Sequence, residues 1–343
     1  MKSLHDTSKK PLSVALLGLN EIGLAMWHAM RESTAASLWA VGDDRPEALR
    51  AWCDEHPVPV YTDFRSLVVE SVPKGLDLLI VALEPFQTVE CLAVAADLRL
   101  PVLFKTPPVR NVRDARRLLD AFDAARKTPV VARWWMFEPA LAGLRDFAAM
   151  AGHVYAAHGD VAVCDSPESW RGDRGKSGGG VLLNGGYDLV DMLVTALGTP
   201  ESVFAQCTAS SAPGITRKYD TEDAAVACFR CPGDAVSVVT ARRGAPVASW
   251  SVRLVGERQT AEVTAKGVAI SSGGGGKSRR HRIRTALRYG PFMQALASFL
   301  ADEPVRFDST LRDHLPTIAT IEAAYLSSRT GQPESPARLL DRS

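Results

Sequence analysis

Residues 18–23, Gly-Leu-Asn-Glu-Ile-Gly, place two glycines at the spacing of a dinucleotide-binding turn. Such a turn joins a buried strand to a helix, and backbone amides at the start of the helix hold the pyrophosphate. The full pattern is G-x-G-x-x-G. Asn20 stands where the second glycine lets the backbone approach the phosphates, although asparagine tolerates positive φ better than most residues. The spacing predicts a cofactor site made by Gly18, Asn20, Glu21, Ile22 and Gly23.

Asp43 follows Gly23 by about 20 residues, the separation at which an acidic side chain binds the ribose 2′-hydroxyl of NAD. The same carboxylate repels the 2′-phosphate of NADP, whereas Arg45, two residues on, attracts it. The residues therefore predict NAD or NADP, with NAD slightly favoured. Taken alone, the incomplete fingerprint also fits a tight turn in another doubly wound protein.

Short apolar runs alternate with amphipathic stretches in the first part of the chain, which is the pattern of βαβ units. The spacing predicts a doubly wound, parallel Rossmann sheet over residues 11–133, covered by helices on both faces. Its predicted strands are 13–19, 38–43, 76–83, 101–105 and 129–133, and its predicted helices include 21–33 and 112–127.

Residues 134–343 have a different pattern, which predicts an α+β domain with a large, mostly antiparallel open sheet. A glycine-rich turn and helix (178–197) precedes a series of alternating segments, and helices at 290–301 and 310–329 follow them. Predicted strands are 201–211, 223–230, 235–243, 248–256, 261–267 and 279–285.

Composition excludes several classes of function. The chain has 343 residues, 46% hydrophobic, and a formal net charge of +1, which gives no field to attract nucleic acid or a membrane. No apolar run is long enough for a membrane helix, and the polar N-terminus is unlike a secretory signal. Six scattered cysteines are too few for a disulfide framework. We expect a cytoplasmic enzyme whose cysteines are reduced.

Several segments occur in the order of the Gfo/Idh/MocA family of oxidoreductases, which the chain resembles over nearly its whole length. They are IVALEPFQTVECL, VLFKTPP, SGGGVLLNGGYDLVDML, TEDAAVACF, VRLVGERQTAEV and HLPTIATIEAAYLSSRTGQP. The resemblance implies NAD or NADP hydride transfer to or from a sugar, a cyclitol or a similar small polar metabolite, without a metal. It also implies a homodimer or homotetramer formed through the second sheet, and it places Ala82 and Glu84 over the cofactor.

The resemblance also implies the proton-transfer residues. The family's lysine is Lys105, and Asn184 and Asp188 stand where the family usually has Asp and His. Four residues apart on a predicted helix, these two share a face. Asn184 can only hydrogen-bond, whereas Asp188 can exchange a proton if burial raises its pKa. Lys105 and Asp188 form either a catalytic relay or a structural ion pair.

Aromatic and basic residues near these positions are candidates for substrate binding. Trp170 and Arg171 precede the triple glycine in a predicted loop over the cleft, and Tyr187 is a spare phenol on the helix. Tryptophan faces stack on sugar rings, and arginine holds anionic or polyhydroxyl groups. Trp170 and Arg171 could instead be packing residues at a domain hinge. The run Arg133-Trp134-Trp135 has the same two interpretations, substrate contact or packing at a hinge.

Positions 20, 84, 104, 184 and 188 depart from the family pattern, so three functions stay open. The first is the oxidoreductase. The second is a catalytically altered or inactive member that binds a ligand or a regulatory partner. The third is an enzyme that uses the cofactor transiently and returns it unchanged.

Overall fold

The computed structural model describes residues 11–34, 36–54, 56–71, 75–139, 141, 144, 147–165, 169–209, 218–272, 279–282 and 289–341. The part of the last predicted strand that covers residues 283–285 lies outside these ranges.

Six parallel strands form the first sheet, in the order β3-β2-β1-β4-β5-β6. The strands are β1 (Leu12–Leu17), β2 (Ala36–Gly42), β3 (Val60–Tyr61), β4 (Leu78–Val81), β5 (Val102–Phe104) and β6 (Val130–Val131). This order confirms the predicted Rossmann sheet. The two-residue strand β3 was not predicted, because so short a run has too little periodicity to detect.

Helices connect these strands, and the sequence explains where they begin. They are α1 (Glu21–Ser33), α2 (Pro46–Cys53), α3 (Phe64–Ser71), α4 (Pro85–Asp97) and α5 (Val112–Ala124). Asn20 and Asn111 cap α1 and α5 with their side chains, and prolines begin α2 and α4. On α1, Met26, Trp27 and Met30 are buried, each contributing about 1.5–3 kcal/mol. Caps and apolar spacing are local signals, so α1 was predicted with its observed bounds.

The second sheet has eight strands in the order β14-β13-β12-β11-β7-β10-β9-β8. They are β7 (Val154–Ala162), β8 (Ser202–Thr208), β9 (Ala224–Arg230), β10 (Val236–Arg242), β11 (Ser249–Gly256), β12 (Gln259–Thr264), β13 (Gly267–Ser272) and β14 (Arg279–Arg282). The pairs are antiparallel except β7 with β10, which confirms the mostly antiparallel sheet.

Strand β7 is the main element that the sequence did not reveal, although it lies in the middle of the sheet. Its residues include His158, Gly159 and Asp160, which are unusual in a central strand. Gly159 lies under helix α9, where a β-carbon would be in ordinary van der Waals contact with Leu189 and Leu193 at 3.4 Å. The pairing of β7 with β10 and β11, which are distant in the chain, therefore sets this strand more than its own local pattern does.

Seven helices accompany this sheet in the described part of the chain: α6 (Phe147–Ala151), α7 (Arg174–Ser177), α8 (Val181–Asn184), α9 (Tyr187–Leu197), α10 (Gly290–Leu300), α11 (Leu315–Thr330) and α12 (Pro336–Asp341). The glycine-rich turn predicted within 178–197 is present, but the helix after it is divided by Gly185 and Gly186 into α8 and α9, so Asn184 and Asp188 lie on separate helices. Gly331 ends α11 at φ 68°, in the conformation that favours glycine after a helix.

Near its end the chain returns to the first sheet. Helix α10 packs on α1, and residues 309–311 hydrogen-bond to residues 129–131 beside β6. The division into domains at residue 133 therefore stays a prediction, and the second part contributes packing to the first. Among the described residues no single helix could cross a membrane; one bent pair, Arg174–Asn184 with Tyr187–Leu197, has the length and composition to do so.

Candidate functional site

The glycine turn lies between β1 and α1, as its spacing predicted. Gly18 has φ 93°, and a β-carbon there would lie 2.8 Å from the carbonyl oxygen of Ala82. A β-carbon at Gly23 would lie 2.2 Å from the carbonyl oxygen of Gly18. Both positions therefore require glycine. Gly18 has a positive φ and is also too close to Ala82 for a β-carbon, whereas Gly23 has no positive φ but is too close to Gly18. This close packing brings the start of α1 beside the end of β4, where Ala82 and Glu84 lie.

Asn20 has a role that its place in the motif did not predict. Its backbone is extended (φ −97°, ψ 172°), so the positive φ considered for this position is not used. Its side-chain oxygen accepts a hydrogen bond from the Gly23 amide at 3.0 Å, and its side-chain nitrogen donates to the Ala82 carbonyl at 2.7 Å. Asn20 thus caps α1 and ties the turn to β4. The amides of Glu21 and Ile22 lie in the first turn, where an α-helix supplies no acceptor.

Asp43 is buried at the end of β2, with only 2% of its surface exposed. Its carboxylate accepts hydrogen bonds from the Leu19 amide at 2.6 Å, and from the Arg45 amide and guanidinium at 2.8–3.0 Å. Burial opposes ionisation, but these bonds outweigh it and hold the pKa of Asp43 below its ordinary value. With four donors on two oxygens, the carboxylate is saturated. A ribose hydroxyl must therefore displace Arg45 to reach it.

Lys105 follows β5 and is 9% exposed. Its Nζ lies 3.7 Å from Oε2 of Glu84, so its ionic partner here is Glu84, whereas the sequence suggested Asp188. Burial lowers the pKa of Lys105, and burial raises the pKa of Glu84. The pairing follows from topology: Val81 and Phe104 are neighbours on β4 and β5, so the residues that follow each strand meet at one sheet edge.

Trp170 and Arg171 lie against this pair. The ammonium of Lys105 is 5.8 Å from the centre of the Trp170 ring, and the Arg171 guanidinium is 4.8 Å from the same ring. The nearby charge of Arg171 adds to the lowering of the Lys105 pKa that burial causes. The structure therefore brings together Glu84, Lys105, Trp170 and Arg171, as the loop-over-the-cleft interpretation requires.

The triple glycine before α8 positions Asn184. The buried carboxylate of Glu222 accepts hydrogen bonds from the amides of Gly180 at 2.7 Å and Leu182 at 3.0 Å, and from the Tyr325 hydroxyl at 2.7 Å. A β-carbon at Gly179 would lie 2.2 Å from the Tyr325 oxygen, so the turn fits only as glycine. Glu222 and Tyr325 lie in two of the segments that carry the family resemblance, but their roles were not predicted, because the groups they bond are distant in the chain.

Asn184 and Asp188 face a cavity of about 470 Å³ between the two parts of the chain. The side-chain nitrogen (Nδ2) of Asn184 donates to the carbonyls of Gly179 and Gly180, at 2.8 and 3.1 Å. Asp188 is half-buried, and its Oδ2 accepts a hydrogen bond from the indole of Trp134 at 3.1 Å. Ile22, from the glycine turn, lines the same cavity. The predicted cofactor turn and the predicted helix face therefore meet across one cleft.

The remaining wall residues of this cavity come from both parts of the chain. They are Thr106, Pro107, Trp134, Val161, Ala162, Val163, Gly185, Tyr187, Leu189, Met192, Ala248, Ser249, Trp250, Ala265 and Tyr289.

Tyr187 contributes its ring to the cavity, whereas its hydroxyl is bonded to Nδ1 of His314 at 2.9 Å. Burial raises the pKa of Tyr187 well above its ordinary value. The phenol that the sequence offered as a spare acid therefore belongs to a buried network.

That network also explains the Arg133-Trp134-Trp135 run. Asp191, fully buried one turn after Asp188, accepts hydrogen bonds from Arg133 at 2.7 Å, Thr317 at 2.7 Å and Trp135 at 2.9 Å. Arg133 and Trp135 are packing residues where the two parts of the chain join, and Trp134 alone of the run lines the cavity.

His314 makes stability depend on pH. Burial and the charge of Arg133 lower its pKa to about 3 in the folded protein, from 6.5. Between these values the unfolded chain binds a proton that the folded protein does not. The free energy of unfolding should therefore fall as pH decreases below 6.5, by up to about 1.4 kcal/mol per pH unit. Urea unfolding from neutral pH to about pH 5 measures this slope. His314→Gln should flatten it, and an equal slope in the variant would contradict the assignment.

The residues at the turn fit a dinucleotide. The first-turn amides of α1 carry the partial positive charge of the helix, and the Asn20 side chain is folded back onto Gly23 and Ala82. The backbone amides of Glu21 and Ile22 would hold the phosphates, and Asp43 with Arg45 would meet the ribose.

Two family models match the chain. The model described as "Oxidoreductase family, NAD-binding Rossmann fold" matches residues 12–132, and the "GFO/IDH/MocA C-terminal domain" matches residues 149–262. A sequence comparison with curated proteins finds no match.

Solved structures with the same fold include three complexes. The aldose-aldose oxidoreductase from Caulobacter crescentus with glycerol is 19% identical, with TM-score 0.80, over 95% of this chain and all (100%) of that one. The WlbA dehydrogenase from Bordetella pertussis with NADH and UDP-GlcNAcA is 19% identical, with TM-score 0.78, over 95% and 99%. Levoglucosan dehydrogenase with NADH and levoglucosan is 16% identical, with TM-score 0.81, over 95% and 99%. At these identities the likeness shows the fold alone.

The two family models together span most of the chain, and both describe one family. The protein therefore belongs to the GFO/IDH/MocA family of NAD(P)-dependent oxidoreductases and carries its NAD-binding Rossmann domain.

Proposed function

We propose that this protein transfers a hydride to or from the hydroxyl or keto carbon of a sugar, a cyclitol or a similar small polar metabolite. The observation that carries the proposal is the cavity between the domains, because it places Ile22 of the cofactor turn opposite Asn184 and Asp188. When bound, the nicotinamide supplies or accepts the hydride. The sugar-related ligands of WlbA and levoglucosan dehydrogenase support this class of substrate.

Lys105 is the residue that we assign to the reacting oxygen. Burial lowers its pKa, so a lysine at this position exchanges a proton near neutral pH more readily than an exposed one. Thr106, the next residue, lines the cavity, so the lysine lies at its edge. Glu84 keeps the ammonium in place at 3.7 Å. Trp170 and Arg171 lie beside Lys105 and are further proposed contacts for the substrate at this edge of the cavity.

Asp188 completes the proton relay in this proposal. The indole of Trp134 orients its carboxylate, which accepts the hydroxyl proton directly or through water. The side-chain nitrogen of Asn184 is already bonded to two carbonyls, so the amide oxygen is the atom left to accept a hydrogen bond from substrate or water. Asn184 therefore orients a hydroxyl group, while Asp188 and Lys105 move its proton.

NAD is the cofactor that we favour, because Asp43 is ionised at neutral pH and repels a 2′-phosphate. Arg45 reduces this preference, since its half-exposed guanidinium neutralises the carboxylate and reaches toward the ribose position. The Asp43–Arg45 pair therefore sets the choice between NAD and NADP.

Arg45→Ala should increase the preference for NAD by at least about tenfold. The variant removes the donors that saturate Asp43 and the charge that would attract a 2′-phosphate. Dissociation constants for NADH and NADPH, from fluorescence titration, measure the ratio. Arg50→Ala, an exposed arginine on α2, is the matched control. A ratio that moves equally in both variants would show that Arg45 does not contact the ribose.

The second sheet also supports an assembly. One face packs against α9 and α11, while the other exposes Phe204, Val226 and Val236, which are 40%, 48% and 56% exposed. We propose that this face forms a homodimer or homotetramer. The small net charge supports the absence of nucleic-acid and membrane partners. Six free cysteines support a reduced, cytoplasmic location.

Val226→Glu with Val236→Glu should convert the assembly into monomers, because the paired faces would bury uncompensated carboxylates. Light scattering coupled to gel filtration measures the mass. Val247→Glu, at a residue 71% exposed and outside the strands, is the control. Wild-type protein that is already monomeric would contradict the proposed interface.

Fluorescence titration with NAD⁺, NADH, NADP⁺ and NADPH is the first test of the function. We expect micromolar binding of one redox pair, followed by a change of nicotinamide absorbance with a sugar, polyol or keto compound. If none of the four binds, hydride transfer is excluded.

A further inference from the structure

One part of the cavity wall is apolar. Val161 and Trp250 are opposite each other on β7 and β11, and both line the cavity. Met192 and Val163 continue the same wall. A hydroxyl group pressed against this surface would lose its bonds to water and gain none from the protein.

Polar side chains line another part of the same cavity. Asp188 and Met192 are one turn apart on α9, so this face of the helix changes from polar to apolar in the direction away from Asn184. Asn184, Asp188, Thr106 and Ser249 supply polar side-chain atoms to the lining.

Several of these polar groups already have partners. The Asn184 nitrogen is bonded to Gly179 and Gly180, and the Tyr187 hydroxyl is bonded to His314. A fully hydroxylated ring bound here would press hydroxyl groups against Val161, Val163 and Met192, whose side chains offer no hydrogen bond. Each unsatisfied hydroxyl in such a site weakens binding substantially.

We propose that the substrate is amphipathic, with its reacting hydroxyl or ketone at Asn184 and Asp188 and an apolar edge against Val161, Met192 and Trp250. Its class is an alicyclic or deoxygenated ring, with oxygens on one side only. This inference rests on the proposed function, which it narrows. The side walls belong to one helix of 11 residues and to two strands of 9 and 8 residues. Regular elements of this kind hold their side chains in fixed positions, so the apolar wall belongs to the scaffold.

Ligand-observed NMR with the full chain tests the inference by binding alone. The probes are trans-cyclohexane-1,2-diol and myo-inositol, each with and without NAD⁺. We expect the diol to bind at least tenfold more tightly, with the strongest saturation transfer at its ring methylene protons. Binding of inositol with equal or greater affinity would overturn the proposal, and so would the absence of binding by both probes.

Variants assign the signal to this cavity. Trp250→Ala and the nearly isosteric Val161→Thr should each weaken the diol at least threefold and leave inositol unchanged. Trp39→Ala removes another half-buried tryptophan, which does not line the cavity, and should have no effect on either probe. If Trp39→Ala weakens the diol as much as Trp250→Ala does, the diol is bound elsewhere and the proposal is wrong.

The two proposals fail in different ways. Selective diol binding without any change of nicotinamide absorbance would contradict the proposed hydride transfer and leave the amphipathic site intact. Oxidation of inositol at a rate equal to that of the diol would support the proposed hydride transfer and contradict the amphipathic site.

Discussion

Lys105→Met is expected to lower kcat by about 10²–10⁴-fold, the contribution of a positioned acid or base. Methionine has nearly the length of lysine and fills the same buried space, but it carries no proton. Because the reacting oxygen then has no proton donor at the edge of the cavity, the loss should appear in kcat more than in KM. Both constants are measured by steady-state kinetics, with the sugar, polyol or keto compound that changes the nicotinamide absorbance.

The fold should survive this change. Glu84 is the partner that loses its counter-charge; burial already raises its pKa, and the loss of Lys105 raises it further, which favours the neutral form. A neutral carboxyl costs far less to bury than an unpaired carboxylate. Circular dichroism and thermal unfolding should therefore change little.

Lys127→Met, on an exposed side chain, is the matched control and should retain full activity. Glu84→Gln gives a second readout, since the charge of Glu84 raises the pKa of Lys105. Its loss should move the alkaline limb of the pH–kcat profile to lower pH. Full turnover in Lys105→Met would remove the lysine from the chemistry.

Asp191→Ala is expected to lower the free energy of unfolding by about 3–5 kcal/mol. Asp191 is fully buried and accepts bonds from Arg133, Thr317 and Trp135. Without it, the guanidinium of Arg133, itself 5% exposed, stays in the interior with no opposite charge beside it. For a chain of this size the corresponding decrease in melting temperature is on the order of 10 °C.

Thermal unfolding followed by near-ultraviolet circular dichroism measures this effect, because Trp134 and Trp135 report on the junction. Asp120→Ala, an exposed carboxylate on α5, should change the melting temperature by no more than a degree or so. Asp191→Asn keeps the hydrogen-bond acceptor and loses the charge, so its effect should be intermediate. Equal melting temperatures for Asp191→Ala and Asp120→Ala would contradict the role of the network.

The Rossmann half was predictable because its signals are local. Gly18 and Gly23 mark a turn whose backbone leaves no room for a β-carbon, and this requirement is visible in the residue type. Buried strands and capped helices likewise show their period within a dozen residues. The family resemblance then gave the order of the elements and the identity of Lys105, and the two family models confirm that resemblance.

Strand β7 and the division between α8 and α9 were not predictable in this way. β7 is central to its sheet, yet its local pattern is weak, since His158, Gly159 and Asp160 lie in its middle. The break after Asn184 lies at Gly185 and Gly186, and the turn before α8 is held by Glu222 through the amides of Gly180 and Leu182. Both features are caused by contacts between elements, and such contacts leave little trace in a short window of sequence.

In the site, the residues themselves were predictable from the sequence, but their hydrogen-bond and ionic partners were not. Residue types and spacing specified the glycine turn, because it depends on neighbours within a few positions. The family resemblance supplied Lys105, Asn184 and Asp188. Their partners were specified by packing: Trp134 bonds to Asp188 from 54 residues away, and Glu222 to Gly180 from 42. Lys105 pairs with Glu84 because two parallel strands end at one edge. Side chains that are distant in sequence meet only when the chain has folded, so the charge state and orientation of each group depend on the three-dimensional arrangement.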